Sequence, residues 1–391
     1  SMKCEMDYTH WLKDVLISYR DFSISHFIEL LFNTRLLDTP GNQAGITRAI
    51  DNVVNDFLSD EEAGVLWQEF LKSHTKFASN RKKDFDSLNN SFNSYLKIFR
   101  KDVTAGGLPI VQEFTKQLFL SGAKENQMSQ VANSLVKLFG ICHGTKTPPP
   151  DSKLMGLYHV VVYLFKVYFR LNNLPQCPQL LKAVISKQKL MPPLHAFPKS
   201  QQVEMKYYEG RYNIYDHQLK KAEECLDYAF AHCDARSLKN KRIILQYLVP
   251  VKVSLGKFPS RTLLRRYSMG HYEPILEAIK QGRLDVYGVE LARNERDFIK
   301  QGIFLMIESL RLLTCRNLFK KVWQILGTNK IPLDSLSKAV RLAVPSVDID
   351  EMECWLANLI FKGWVRGYIS AQHRVLVLSK QSPFPRVSDT L

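Results

Sequence analysis

The sequence predicts a mostly α-helical protein: a stack of helical pairs running into a short mixed ending of helix, helix, helix, strand, strand. Three observations predict it. Apolar residues recur at three-to-four spacing through most of the 391 residues. From residue 154 the helical segments become regular and are separated by short breaks. Last, the pattern changes character over DIDEMECWLANLIFKGWVRGYISAQHRVLVLSK (348–380), where a helix gives way to two short runs rich in Val, Ile, Leu and aromatics. That closing order reads as a winged helix.

Taken along the chain, HFIELLF, GITRAIDNVVNDFL, VLWQEFLKSHTKF, SFNSYLKIF and PIVQEFTKQLF are each expected to be amphipathic helices. GTKTPPPDSK (144–153) breaks the pattern, because three consecutive prolines cannot continue a helix. It is either a loop inside a domain or a boundary, with Asp151 as the expected cap of the helix that follows. Helices are then expected at 154–171, 176–187, 202–214, 220–232, 240–255, 260–267, 272–281 and 285–294. The 220–232 helix lines up Ala222, Cys225, Leu226, Ala229 and Phe230 on one stripe. Small and large residues alternating there let two helices approach closely, as in the second helix of a tetratricopeptide-like hairpin. No strict repeat consensus is present, and a plain helical bundle is the alternative. One or two helices are expected over 298–326, ending near Gly327. Further helices follow at 333–343 and from Asp350 to Phe361, stopped by Gly363, and WVRGYIS pairs with RVLVLS across AQH. The expected domains are therefore a divergent helical region at 1–150, repeats at 151–310 and the winged helix with its tail at 311–391.

Formal net charge is +16, from 54 basic and 38 acidic side chains. The excess is localised: residues 1–150 hold 17 of each sign, while 231–324 hold 18 basic and 8 acidic residues. Such asymmetry points to an acidic partner, nucleic acid or acidic peptide, with a solvated basic face as the alternative. Seven scattered cysteines do not resemble a secreted disulfide framework. No secretory leader or membrane partner is expected. The most apolar run, LYHVVVYLFKVYF (157–169), is interrupted by Lys166 and suits a buried helix.

Candidate nucleic-acid contacts are Lys239, Lys241 and Arg242, then Arg316, Lys320 and Lys321 on one helix, then Lys362, Arg366, Arg374 and Lys380 around the hairpin. Lysine and arginine neutralise phosphates and steepen salt dependence without reading bases. Candidate partner contacts are Lys252, Lys257, Arg261, Arg265 and Arg266, with Trp364 and Tyr368 as aromatics able to stack on a base or pack on a partner. The final helix carries Asp350, Glu351 and Glu353 and no cation before Lys362, which disfavours groove reading. No HExxH, GxSxG, phosphate loop, dinucleotide fingerprint or paired CxxC occurs, so no enzyme, metal or cofactor is expected.

The phrases CRNLFKKVW (315–323), 348–370 and LVLSKQSPFP (376–385) resemble the PCI domain, and more closely its Thp1/PCID2/Csn12 branch. The resemblance extends back through KNKRIILQYLVPVKVSLGKFPS (239–260), KYYEGR (206–211) and YLFKVYFRLNN (163–173), covering roughly 155–386. It implies a TPR-like helical-repeat stack fused to a winged helix, without enzymatic activity. It implies pairing with a Sac3- or Thp3-like PCI subunit, a small acidic Sem1/DSS1-like protein along the repeats, and RNA or DNA near the paired winged helices. The implied setting is the nucleus: TREX-2-like coupling of transcription to mRNA export, with association at the nuclear pore. The Csn12-like alternative acts in transcription elongation or splicing, or is a COP9 signalosome-associated subunit without direct nucleic-acid binding.

Overall fold

Helix boundaries follow local capping chemistry. In the computed structural model, which describes residues 13–18, 28, 30–31, 43–58, 60–80, 84–102, 105–149 and 151–389, the chain forms two compact units, Ser1–Tyr208 and Glu209–Leu391. The first contains α1 (Gln43–Phe57), α2 (Glu61–Ser79), α3 (Phe85–Lys101), α4 (Leu108–Lys124), α5 (Met128–Gly144), α6 (Leu157–Leu171) and α7 (Cys177–Lys187). Most of the expected HFIELLF segment lies outside the described residues. Asp60 caps α2 by accepting from the Glu62 N–H at 3.0 Å, and Asp84 caps α3 by accepting from Ser87 at 3.1 Å. Phe70, Phe92, Tyr95 and Phe114 interlock between α2, α3 and α4, with Phe70 and Tyr95 centroids 5.2 Å apart. Each such buried ring stabilises the unit by about 1.5–3 kcal/mol.

The proline stretch is a loop inside this unit. Ser152, rather than Asp151, makes the cap, accepting from the Leu154 N–H at 3.2 Å. By length and composition, Lys153–Leu171 would suffice to cross a membrane. Its Val160, Val161, Leu164, Phe165 and Val167 are buried within the unit, so its apolarity is that of a core helix.

The helix α8 (Lys199–Tyr215) carries the boundary between the units. The second unit continues with α9 (Leu219–His232), α10 (Leu238–Ser254), α11 (Arg261–Arg266), α12 (Glu273–Gln281), α13 (Leu284–Gln301), α14 (Phe304–Ser309) and α15 (Arg311–Leu326). The expected stripe is inward: Ala222, Cys225, Leu226 and Ala229 are buried, with Phe230 half-buried at its edge. A Cβ on Gly210 would meet Leu226 Cγ at 2.7 Å, so α8 and α9 approach through that glycine. α9 packs on α10, and α12 packs on both α13 and α15. Gly282, at φ +66°, ends α12 where a side chain would strike the Leu318 backbone of α15.

After α15 stops at Gly327 (φ +64°), the chain forms β1 (Lys330–Pro332), α16 (Leu333–Ala343), α17 (Ile349–Phe361), β2 (Gly367–Ser370) and β3 (Val375–Leu378). The strands make one antiparallel sheet of order β1-β3-β2, with Ile331 opposite Leu376 and Tyr368 opposite Val377. This is winged-helix topology, with a strand between the first two helices in addition to the expected pair. Asp348 caps α17 by accepting from the Glu351 N–H at 2.7 Å, so the helix starts at Ile349, one residue before the expected Asp350. Gly363 (φ +70°) follows its last turn, as expected. The tail then returns to the fold. Arg366 donates its N–H to the Pro383 carbonyl at 2.8 Å, and Phe384 and Val387 are buried.

Candidate nucleic-acid and partner interface

The basic residues of 239–266 separate by burial and pairing. Lys241 is buried, donating to the Phe230 carbonyl at 2.8 Å with its ammonium 4.5 Å from that ring's centroid. It fastens α10 to α9, a correction to its expected place on a phosphate-binding surface. Lys252 reaches Asp227 at 2.8 Å and Lys257 reaches Glu223 at 2.7 Å. Arg261 pairs with Glu277 and Arg265 with Glu273, each at 3.2 Å. Arg266 is exposed, with its guanidinium 5.7 Å from the Tyr267 ring centroid. Four of the five partner candidates therefore sit against acids of their own fold, which lowers the net field they present. Lys239 and Arg242 are exposed and have no ion pair or hydrogen bond among the described residues.

In the winged helix, Arg316 is the second correction. Its side chain is buried; Nε donates to the Trp364 carbonyl at 3.1 Å, one terminal nitrogen to Pro385 O, and the other to Asn317 Oδ1 at 3.0 Å. Burial holds its pKa below the usual arginine value. This guanidinium clamps α15 to the wing and the tail and has no access to a phosphate. Lys320 is half-buried and Lys321 exposed on the same helix. Trp364 is the third correction: it is 6% exposed, so it cannot stack on a base, whereas Tyr368 is 61% exposed and can. Lys362, 5.2 Å from the Trp364 ring centroid, is exposed along with Arg366, Arg374 and Lys380. Arg374 lies at the hairpin turn with φ +50°, while Arg366 and Lys380 lie at the opposite end of the strands. Four strand residues span about 13 Å, so these cations do not converge on one phosphate.

Two features escaped sequence reasoning. The solvent face of α17 displays Asp350, Glu351, Cys354, Asn358 and an 89% exposed Phe361, opposite buried Met352, Leu356 and Leu359. Leu342 on α16 is likewise 89% exposed. The helical period already placed Phe361 opposite the apolar stripe, and that was the available signal. The second is a polar cleft of about 590 Å³ that unites Arg242 with His271 and Lys300, brought together only by tertiary packing. Among the described residues there is no group of three or more His, Cys, Asp or Glu able to hold a metal ion. Burial pushes the Cys142, Cys177 and Cys315 thiols up to about 12, far from the thiolate form.

These features define a helical protein closed by a winged helix. A PCI-domain family model matches residues 291–380, from α13 through β3. PCI domain-containing protein 2 of Xenopus laevis is 38% identical over 311 residues, covering 75% of this chain and 77% of that protein. Its Danio rerio counterpart is 39% identical over 269 residues, 68% of this chain, and the chain spans just under two thirds (66%) of its length. Protein CSN12 homolog of Neurospora crassa is 33% identical over 303 residues, covering 73% and 67% respectively. The chain belongs to the PCI-domain family, among the relatives of PCI domain-containing protein 2 and Csn12.

Proposed function

We propose that this chain is a non-catalytic scaffold subunit of a nuclear, TREX-2-like PCI complex that couples transcription to mRNA export and associates with the nuclear pore. The observation that carries the reading is the solvent face of α17. An acidic and apolar helix face repels phosphates, and an 89% exposed Phe361 suits the core of a protein contact. In this reading the winged helix docks a Sac3-like PCI subunit. The helical pairs α9–α10 and α12–α13 serve as degenerate TPR-like repeats along which a small acidic Sem1/DSS1-like protein lies, and RNA or DNA is held by cations left unpaired. The relatives named PCI domain-containing protein 2 support membership of a PCI complex. A Csn12-like role with a Thp3-like subunit, in elongation or splicing, is the second reading, favoured by the Neurospora crassa relative's name.

The test is affinity purification of the full chain from nuclei with identification of the co-purifying PCI subunit. A Sac3-like subunit lost on Phe361→Asp supports the first reading, and a Thp3-like subunit selects the second. Recovery of neither, or capture indifferent to Phe361→Asp, rejects docking through α17. Since Phe361 is exposed, the variant's melting temperature should match wild type.

A further inference from the structure

We propose that the cleft between α10, the 270–272 turn and α13 seats a phosphate-bearing nucleotide of single-stranded RNA. It rests on the nucleic-acid part of the function proposed above and supplies a place for it away from the winged helix. The walls come from two helical faces: Arg242 and Gln246, one turn apart on α10, and Asn294, Asp297 and Lys300 along α13, with His271 between them. At about 590 Å³ the recess is the size of a small-ligand site, commonly roughly 300–1,000 Å³, and takes one nucleotide at a time. A duplex presents its phosphates on a convex cylinder and cannot enter.

Charge pairing separates this cleft from the nearby paired arginines. Arg261, Arg265, Arg283 and Arg293 each have a carboxylate partner at 2.7–3.2 Å. Arg242 and Lys300 have neither an ion pair nor a hydrogen bond among the described residues, although Asp297 shares the recess. Two cations without a direct acid partner, outnumbering the one carboxylate in the recess, make it an anion site in waiting, because the cost of holding them near each other falls when a phosphate enters. The floor is fixed beforehand: Tyr247 donates to the Gln301 carbonyl at 2.9 Å and Tyr272 to Gln301 Oε1 at 3.3 Å. That second bond leaves the Gln301 amide nitrogen as a donor. His271 is held below its ordinary pKa by burial and by the Arg242 charge, against Asp297, so it offers a neutral ring to a base. Asp297 is an acceptor suited to a ribose 2′-hydroxyl. Beyond the rim, exposed Lys239 and Arg296 lie one turn before Arg242 and Lys300 on their helices, placed for flanking phosphates.

The test uses the full chain and a short fluorescein-labelled oligouridylate, followed by anisotropy across about 50–200 mM salt. Arg242→Glu and Lys300→Glu should each weaken binding about tenfold, and each should flatten the salt slope by about 0.7. Arg242→Lys should retain most affinity, and melting temperatures should hold, since neither side chain is bonded in the fold. Crosslinking of thiouridine-substituted RNA to the wild-type chain should map to the cleft helices, a readout independent of any variant's folding. Wild-type binding that survives both reversals, or crosslinks only elsewhere, overturns the cleft while leaving RNA binding intact. Absence of wild-type binding overturns both. Reversals that release an acidic peptide partner but not RNA would reassign the cleft to that peptide and overturn the proposal.

Discussion

At Arg316 the guanidinium is enclosed by oxygens of Trp364, Pro385 and Asn317, so its charge serves the fold rather than a ligand. Arg316→Ala would leave the two backbone carbonyls buried without donors and should cost about 2–4 kcal/mol, read as a lowered midpoint in urea unfolding. The helix CRNLFKKVW looked from sequence like three available cations; packing removed one and half-buried another. His74 provides a pH signature. It is fully buried, bonded to Ser91 Oγ and the Leu31 carbonyl at 2.9 Å each, and burial pushes its pKa down to about 4 from 6.5. The unfolded chain takes up that proton first as pH falls. Stability is therefore complete above about 6.5 and declines toward pH 4 by about 1.4 kcal/mol per unit. Urea midpoints measured stepwise through that window should show a decline that His74→Gln reduces; an unchanged decline would exclude His74 as its source.

Among the elements, the tail beyond β3 is the one whose role was least legible. SPFPRV has no helical or strand period, yet Phe384 and Val387 are buried, and Val387 lies 3.1 Å from where a Cβ on Gly256 would stand. Ending the chain after Gln381 should remove those contacts and one Arg316 acceptor, destabilising the second unit by about 3–5 kcal/mol. Faster limited proteolysis of the wing would report it. By contrast, α17 and the hairpin β2–β3 were legible in kind and nearly in register, because a Gly363 stop and a short apolar run on each side leave few alternatives. β1 was not: Lys330-Ile331-Pro332 is too short to show alternation and is a strand only because β3 offers it a partner.

Across the second unit, the helical pairs meet the winged helix through the close approach of α12 to α15 at Gly282. Gly282→Ala carries roughly 1–3 kcal/mol of left-handed backbone strain alone, before any displacement of Leu318. Its expected result is a lowered melting temperature with faster amide exchange in α12 and α15. Ordinary exchange there would show that the junction yields without cost. The charge asymmetry behaves similarly: a strongly basic 231–324 is plain from composition, but four of its ten arginines are paired locally with carboxylates.

By itself the sequence determined the helical character, the order of the closing elements and the family, because periodicity, turn glycines and recurrent phrases are local properties of the chain. Tertiary structure alone decided which cations remain available. Burial and pairing depend on neighbours distant in sequence, and those neighbours occupy Arg316 and Lys241, bury Trp364, and bring Arg242 and Lys300 to one unpaired cleft.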